Sequence, residues 1–261
     1  MRSGFVALAG RPNAGKSTLI NALVGEKIAI VSEKAQTTRS EIRGIYTSED
    51  CQIVFTDTPG IHKPKDRLGS RMNKESTDVI QGVDVIFLVV DGSVPYSTGD
   101  AFVLNTVKNA HLPVFLIMNK VDNMDKEDIL KNLNSWQERY DFAEYFPLSA
   151  KFDRTFDDLI ATTAKYLPEG GLLYPAEMIS DGAENFRIAE MIREKVLLCC
   201  EQEVPHATAV TIEEKEYTSK GCNIHATILV EKDGTVSVTE NIADQFTPDD
   251  AVKKTEIITK Q

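Results

Sequence analysis

The feature that most constrains this chain is Gly10-Arg11-Pro12-Asn13-Ala14-Gly15-Lys16-Ser17, a G-x-x-x-x-G-K-[ST] run. It follows the apolar segment Phe5–Ala9 and opens the helical pattern Lys16–Val24, the strand-to-helix context in which such a run holds phosphate. The glycines let the backbone curl so that successive N–H groups converge on an anion at a helix N-terminus. Lys16 adds a cation for the outer phosphate oxygens, and the Ser17 hydroxyl is a ligand for Mg²⁺. Gly10, Asn13, Ala14, Gly15, Lys16, Ser17 and Thr18 are therefore candidate phosphate-site residues. A glycine-rich turn without a ligand is the plain alternative, and the flanking strand and helix argue against it.

Strand-like and helical patterns alternate through the first two-thirds of the chain. Strands are expected at Phe5–Ala9, Ile42–Thr47, Gln52–Asp57, Val85–Asp91, Pro113–Asn119 and Tyr145–Ser149, and helices at Lys16–Val24, Arg67–Gln81, Gly99–Asn109, Lys126–Tyr140 and Phe156–Tyr166. Runs such as Val85-Ile86-Phe87-Leu88-Val89-Val90 are apolar at every position, as in a sheet covered on both faces. The fold class read from this is α/β, a doubly wound, mostly parallel sheet. That domain spans 1–168. Pro168-Glu169-Gly170-Gly171 stops its last helix, and 169–184 reads as a linker. A smaller α+β domain follows over 185–261. It opens with an amphipathic helix, Asn185–Gln202, whose stripe is Ile188, Ile192, Val196 and Cys199/Cys200. Strands are expected at His206–Tyr217 and Cys222–Glu231, then a strand at Thr235–Glu240 and a helix at Pro248–Ile258.

Three further elements define the ligand. Asp57-Thr58-Pro59-Gly60 ends a strand, where open α/β sheets bind ligands, so Asp57 lies beside the phosphates and can hold Mg²⁺ through water. The Gly60 N–H can contact a γ-phosphate and lose it on hydrolysis, the logic of a switch. Asn119-Lys120-Val121-Asp122 ends the apolar run Pro113–Met118. A carboxylate there accepts from guanine N1–H and its 2-amino group, whereas adenine would leave it unpaired at a cost of a few kcal/mol. Ser149-Ala150-Lys151 then closes over the base by backbone N–H.

Gly10–Ser17, Gln36-Thr37-Thr38-Arg39, Asp57–Gly60, Asn119–Asp122 and Ser149–Lys151 resemble, in order and spacing, the nucleotide-binding elements of the Era family of translation-factor-related P-loop GTPases. The resemblance implies GTP and GDP as ligands and Mg²⁺ as cofactor, with Ser17, Thr38 and Asp57 on the metal. Thr38, and less so its neighbour Thr37, is the switch threonine. It also implies switch segments at Ser32–Ser40 and from Asp57 to about Arg71. A glutamine mechanism of the small-GTPase kind is excluded, because the residue after Gly60 is Ile61, which cannot orient water. His62 is next in line for that task, with a solvated loop histidine as the simpler reading. In a GRPN-x-GKS loop the resemblance implies that Asn13 helps coordinate K⁺ near the bridging and γ oxygens, in place of an arginine finger. The candidate catalytic set is thus Asn13, Lys16, Thr38 and Gly60.

The same resemblance extends through Phe186–Lys195 and Glu203-Val204-Pro205-His206, which are similar to the opening helix and turn of a type II KH RNA-binding domain. It implies small-subunit ribosomal RNA as a partner and a role in ribosome assembly. From about residue 233 the pattern departs. No GXXG clamp occurs after Glu231, and from Glu231 onward four lysines face seven carboxylates, a net of −3. The chain as a whole carries −11, which argues against nonspecific coating of nucleic acid or anionic membrane. Two readings stand: an Era-type assembly GTPase that contacts RNA by other surfaces, or a divergent switch whose incomplete second domain binds a protein. Peripheral association with the membrane is implied by resemblance only. Four cysteines without zinc spacing read as buried, reduced thiols of a cytoplasmic protein, and no run is long enough to span a membrane. Trp136 reads as helix packing.

Overall fold

The computed structural model describes residues 1–32, 37–38, 41–63, 67–199, 208–218, 221–230 and 235–243. These divide into two units, Met1–Ala29 with Thr38–Asp181, and Ile30–Thr37 with Gly182 onward.

The first unit is built on six strands: β1 (Arg2–Ala9), β2 (Ile42–Thr47), β3 (Cys51–Asp57), β4 (Val85–Asp91), β5 (Val114–Asn119) and β6 (Glu144–Pro147). Their order is β2-β3-β1-β4-β5-β6, with β2 antiparallel to β3 and every other pair parallel. Helices α1 (Lys16–Val24), α2 (Arg67–Gln81), α3 (Thr98–Lys108), α4 (Lys126–Gln137) and α5 (Asp157–Tyr166) cover both faces. The period of two along β4 explains the double winding. Val85, Phe87 and Val89 join the core under α1 and α5, and Ile86, Leu88 and Val90 join the core under α2, α3 and α4. Phe55, Phe87 and Phe115 form a ladder across three strands with ring centroids 5.9 and 5.5 Å apart. Each such fully buried side chain contributes roughly 1.5–3 kcal/mol. Trp136 is buried against Tyr96 and Phe142, a packing residue as expected.

Some bounds move. β1 begins at Arg2, since Arg2–Gly4 pair with Cys51–Ile53. β6 stops at Pro147 because the Ser149 N–H turns to the Asp153 carboxylate, 2.8 Å away. The stretch expected to be a linker is bound to the sheet as far as Asp181. The amide of Gln52, fully buried, accepts from the N–H groups of Leu173 and Tyr174 and donates to the Tyr174 carbonyl. Arg43 pairs with Asp181 at 3.2 Å.

In the second unit, α6 (Glu184–Cys199) buries Ile188 and Val196 against Cys222, Ile224 and Ile228. Strands β7 (Thr208–Thr218), β8 (Gly221–Val230) and β9 (Thr235–Ala243) form an antiparallel meander in the order β7-β8-β9, with a bulge between Ile212 and Glu214. The helix expected at Pro248–Ile258 and the turn Glu203–His206 lie outside the described residues. So do residues 33–36 and 39–40 of the first switch segment and 64–66 of the second. Cys51 and Cys222 are buried thiols, but Cys199 is exposed, a correction to the reading of the helix-end cysteines as buried. At the helix end the apolar stripe runs out, and Leu198 is exposed too. No helix among the described residues is long and apolar enough to cross a membrane.

Candidate nucleotide site

The loop between β1 and α1 is held open from below. Lys16 is buried and its Nζ donates to the carbonyls of Gly10 and Arg11 at 3.2 and 3.0 Å. Gly15 sits at φ 95°, where a side chain is strained, and a Cβ there would meet Asn119 Nδ2 at 2.1 Å. Asn13 also has positive φ (64°) and is exposed at the rim. Arg11 anchors the loop to the start of α3, donating to Ser97 Oγ at 2.9 Å and Asp100 Oδ2 at 3.1 Å. Ser17 and Thr18 follow Lys16 in the first turn of α1.

Three oxygens converge beside Lys16. Ser17 Oγ donates to Asp57 Oδ2 at 2.6 Å, Thr38 Oγ1 donates to the same oxygen at 3.2 Å, and the two hydroxyls are 3.0 Å apart. Asp57 is fully buried, and its Oδ1 has no hydrogen-bond partner among the described residues. A buried carboxylate oxygen left unpaired is costly. Two hydroxyls and a carboxylate form an all-oxygen donor set suited to a hard cation. Burial pushes the Lys16 ammonium below its ordinary pKa, with Asp57 opposing; burial pushes the Asp57 carboxyl up, with Lys16, Ser17 and Thr38 opposing. Both charged forms are under strain that a cation and phosphates would relieve. Thr37 stands apart, its Oγ1 3.4 Å from the Ser32 carbonyl.

The base end is organised by Asn119, also buried. Its Nδ2 donates to the Ala14 carbonyl at 2.9 Å, and its Oδ1 accepts from the N–H groups of Lys120 at 2.8 Å and Ala150 at 2.9 Å. One side chain thus joins three of the predicted elements. Asp122 is exposed, and its Oδ1 accepts from Ser149 Oγ at 2.6 Å. Lys151 is exposed, with its ammonium 5.1 Å from the Phe152 ring centroid.

A curated relative, GTPase Era of Clostridium kluyveri, is 45% identical over 234 residues, 89% of this chain and 80% of the relative. The chain belongs to the Era family of GTPases. It is a GTP-hydrolysing enzyme. GTPase Era of Lactobacillus delbrueckii subsp. bulgaricus is 46% identical over 89% of this chain and 77% of its own. The family described as 50S ribosome-binding GTPases matches residues 5–120. Among solved structures, Aquifex aeolicus Era in a GDP–aluminium fluoride complex superposes with a TM-score of 0.84 at 34% identity, covering 89% of this chain and 80% of that one. Era in complex with MgGDPNP and nucleotides 1506–1542 of 16S ribosomal RNA superposes with a TM-score of 0.85 at 35% identity, over the same shares.

In this Era-family enzyme the segment after Asp57 is tied down on both sides. Thr58 Oγ1 donates to the Leu8 carbonyl at 2.8 Å, and Ser76 Oγ to the Pro59 carbonyl at 3.0 Å. A Cβ on Gly60 would lie 2.7 Å from Pro12 N, so only glycine permits the close approach to the phosphate loop. Ile61 is in the core, beyond any water-orienting role. His62 departs from the solvated-loop reading: the Asn73 side chain brackets its backbone, and its Nδ1 is buried without a partner among the described residues. Sequence reasoning missed Asn73, Ser76, Asp153 and Asp91, whose carboxylate holds Lys120 Nζ at 2.6 Å. Nothing in the sequence marks them, since their partners are backbone groups or residues distant along the chain. Asn119→Ala is expected to lower the stability of the nucleotide-free protein by about 2–3 kcal/mol, because it orphans one buried carbonyl and two N–H groups. Urea denaturation checks this, and a loss under about 0.5 kcal/mol, the range of an ordinary surface substitution, would contradict the joining role.

Proposed function

We propose that the chain is a Mg²⁺-dependent GTP switch that acts on small-subunit ribosomal RNA in ribosome assembly. The convergence of the Ser17 and Thr38 hydroxyls on one oxygen of buried Asp57, whose other oxygen has no partner among the described residues, next to Lys16, is the observation that carries the nucleotide half of this reading. When bound, Mg²⁺ would neutralise charge between the β and γ phosphates. Ser17 and Thr38 would hold it directly and Asp57 through water. Gly10, Asn13, Ala14, Gly15 and Thr18 would line the phosphates by backbone and side-chain donors, with Lys16 on the outer oxygens. Asp122 would read guanine N1 and N2, held in place by Ser149. Asn119 and Lys120 would frame the base beside Ala150 and Lys151. The Gly60 N–H would meet the γ-phosphate, so that its departure frees the segment after Asp57.

Water attack on the γ-phosphate gives GDP and inorganic phosphate, and Ile61, which follows Gly60 and lies in the core, cannot orient that water as a glutamine would. Asn13, exposed at the rim of the phosphate loop, is the residue we assign to a K⁺ ion that would assist hydrolysis. Asn13→Ala is expected to remove the stimulation of turnover by K⁺ over Na⁺ while leaving GDP affinity within about twofold. Equal rates in K⁺ and Na⁺ for the unaltered enzyme would contradict the assignment.

The solved Era complex with 16S ribosomal RNA, similar over 89% of this chain, supports the RNA half of the reading. The second unit is read as the opening of a KH-like domain, with peripheral membrane contact and a cytoplasmic setting as family expectations. One observation favours a protein partner: β9 continues β8 as an antiparallel strand within a chain end that lacks GXXG and is acidic. Binding of the GTP-analogue-loaded protein to small subunits, and to their 3′-terminal RNA, should be measured across a salt titration. Affinity falling steeply with salt is expected for RNA contact. No binding alongside intact hydrolysis would contradict it and leave the protein-partner reading.

A further inference from the structure

The residues that follow β6 in the first unit are held in different ways. Leu148 donates its N–H to the Met118 carbonyl at 2.9 Å, and Ala150 donates its N–H to Asn119 Oδ1 at 2.9 Å. Ser149, between them, is only 2% exposed, so its backbone groups need partners within the protein. Asp153 supplies one for each. Its Oδ2 accepts the Ser149 N–H at 2.8 Å, and its own N–H donates to the Ser149 carbonyl at 2.9 Å. Ser149 Oγ in turn donates to Asp122 Oδ1 at 2.6 Å. Asp122 and Asp153 are both exposed, and one buried serine links them.

Ser149 Cβ moves with the Ser149 backbone, so holding its N–H and its carbonyl sets where Oγ starts. The bond from Oγ then limits how far the exposed Asp122 carboxylate can turn. Reading guanine needs that restraint. One carboxylate must accept from N1–H and from the 2-amino group at once, and hydrogen bonds weaken steeply when their angles are lost. We infer that Asp153 is a positioning residue for base selection: by holding the backbone of Ser149 it aims the serine hydroxyl at Asp122 and fixes the carboxylate that tells guanine from other bases. The inference rests on the reading of Asp122 as the group that accepts from guanine. Without the Asp153 carboxylate the buried Ser149 N–H has lost its partner, and the backbone must turn to find another. That turn carries Oγ away from Asp122.

The test compares GDP with inosine diphosphate on the full chain with Mg²⁺. Inosine keeps N1–H and O6 and lacks only the 2-amino group, so the ratio of the two dissociation constants reads the second half of the two-point contact. The unaltered chain is expected to prefer GDP by about tenfold or more, as for one hydrogen bond to a charged group. Asp153→Ala is expected to cut that preference about threefold or more, by weakening GDP more than inosine diphosphate. A merely structural role would weaken both nucleotides alike and leave the ratio unmoved. Asp153→Asn keeps an oxygen for the Ser149 N–H, and its ratio should stay within about twofold of the original. Asp153 is exposed, so neither change at it opens a cavity in the core. Ser149→Ala should lower the ratio as Asp153→Ala does, with no further fall when the two are combined, as for residues acting through one contact. Equal binding of GDP and inosine diphosphate by the unaltered chain would sink the reading of Asp122 and the inference with it. A preserved ratio in Asp153→Ala, a fall in Asp153→Asn as large as in Asp153→Ala, or effects of the two sites that multiply would overturn the inference alone.

Discussion

The Asp57 carboxylate governs the arrangement around it. It is fully buried at the end of β3, shares one oxygen between the Ser17 and Thr38 hydroxyls, and has no partner for the other among the described residues. A carboxylate so placed resists ionisation, and Lys16, equally enclosed, resists protonation; each is the main relief the other has. Such a pair weakens the empty protein, and in the proposed reading phosphates and a divalent cation would satisfy it. Stability withheld from the free state would then reappear as ligand affinity, in keeping with the strain often stored at functional sites.

The rest of the first unit serves to hold that pair. β1 and β3, paired from Arg2 to Leu8 and from Cys51 to Asp57, bring the phosphate loop and Asp57 to the same edge of the sheet. β5 ends in Asn119, whose amide joins the phosphate loop to the base-reading loops. The core beneath is aliphatic and aromatic on both faces, so the loops stand on a rigid floor. In the second unit, Arg193 and Glu194 of α6 bond the Thr37 carbonyl and the Val31 N–H.

Much of this was legible in the sequence where chemistry is local. The glycine-lysine loop, the apolar strands ending in Asp57 and Asn119, and the helix spacing follow from periodicity and from what phosphate and guanine require. Contacts between residues far apart in the chain were not legible. Asn73 bracketing His62, Gln52 pinning 173–174 and Arg193 holding the Thr37 carbonyl join segments 11, about 120 and 156 residues apart. Polar side chains that bond backbone leave no periodic trace. The exposure of Cys199 was misread for a related reason: a stripe extrapolated to a helix end does not say where packing stops.

Asp57, in the proposed reading, is a destabilising charge held for the ligand. Urea unfolding of the nucleotide-free protein and of Asp57→Asn, each repeated with GTP analogue and Mg²⁺, tests it most directly. Asn keeps the shape and removes the charge. Asp57→Asn is expected to be at least as stable as the original when empty, and the extra stability gained from Mg²⁺ with nucleotide is expected largely to vanish. An empty variant clearly less stable than the original, with the Mg²⁺-dependent gain intact, would contradict it.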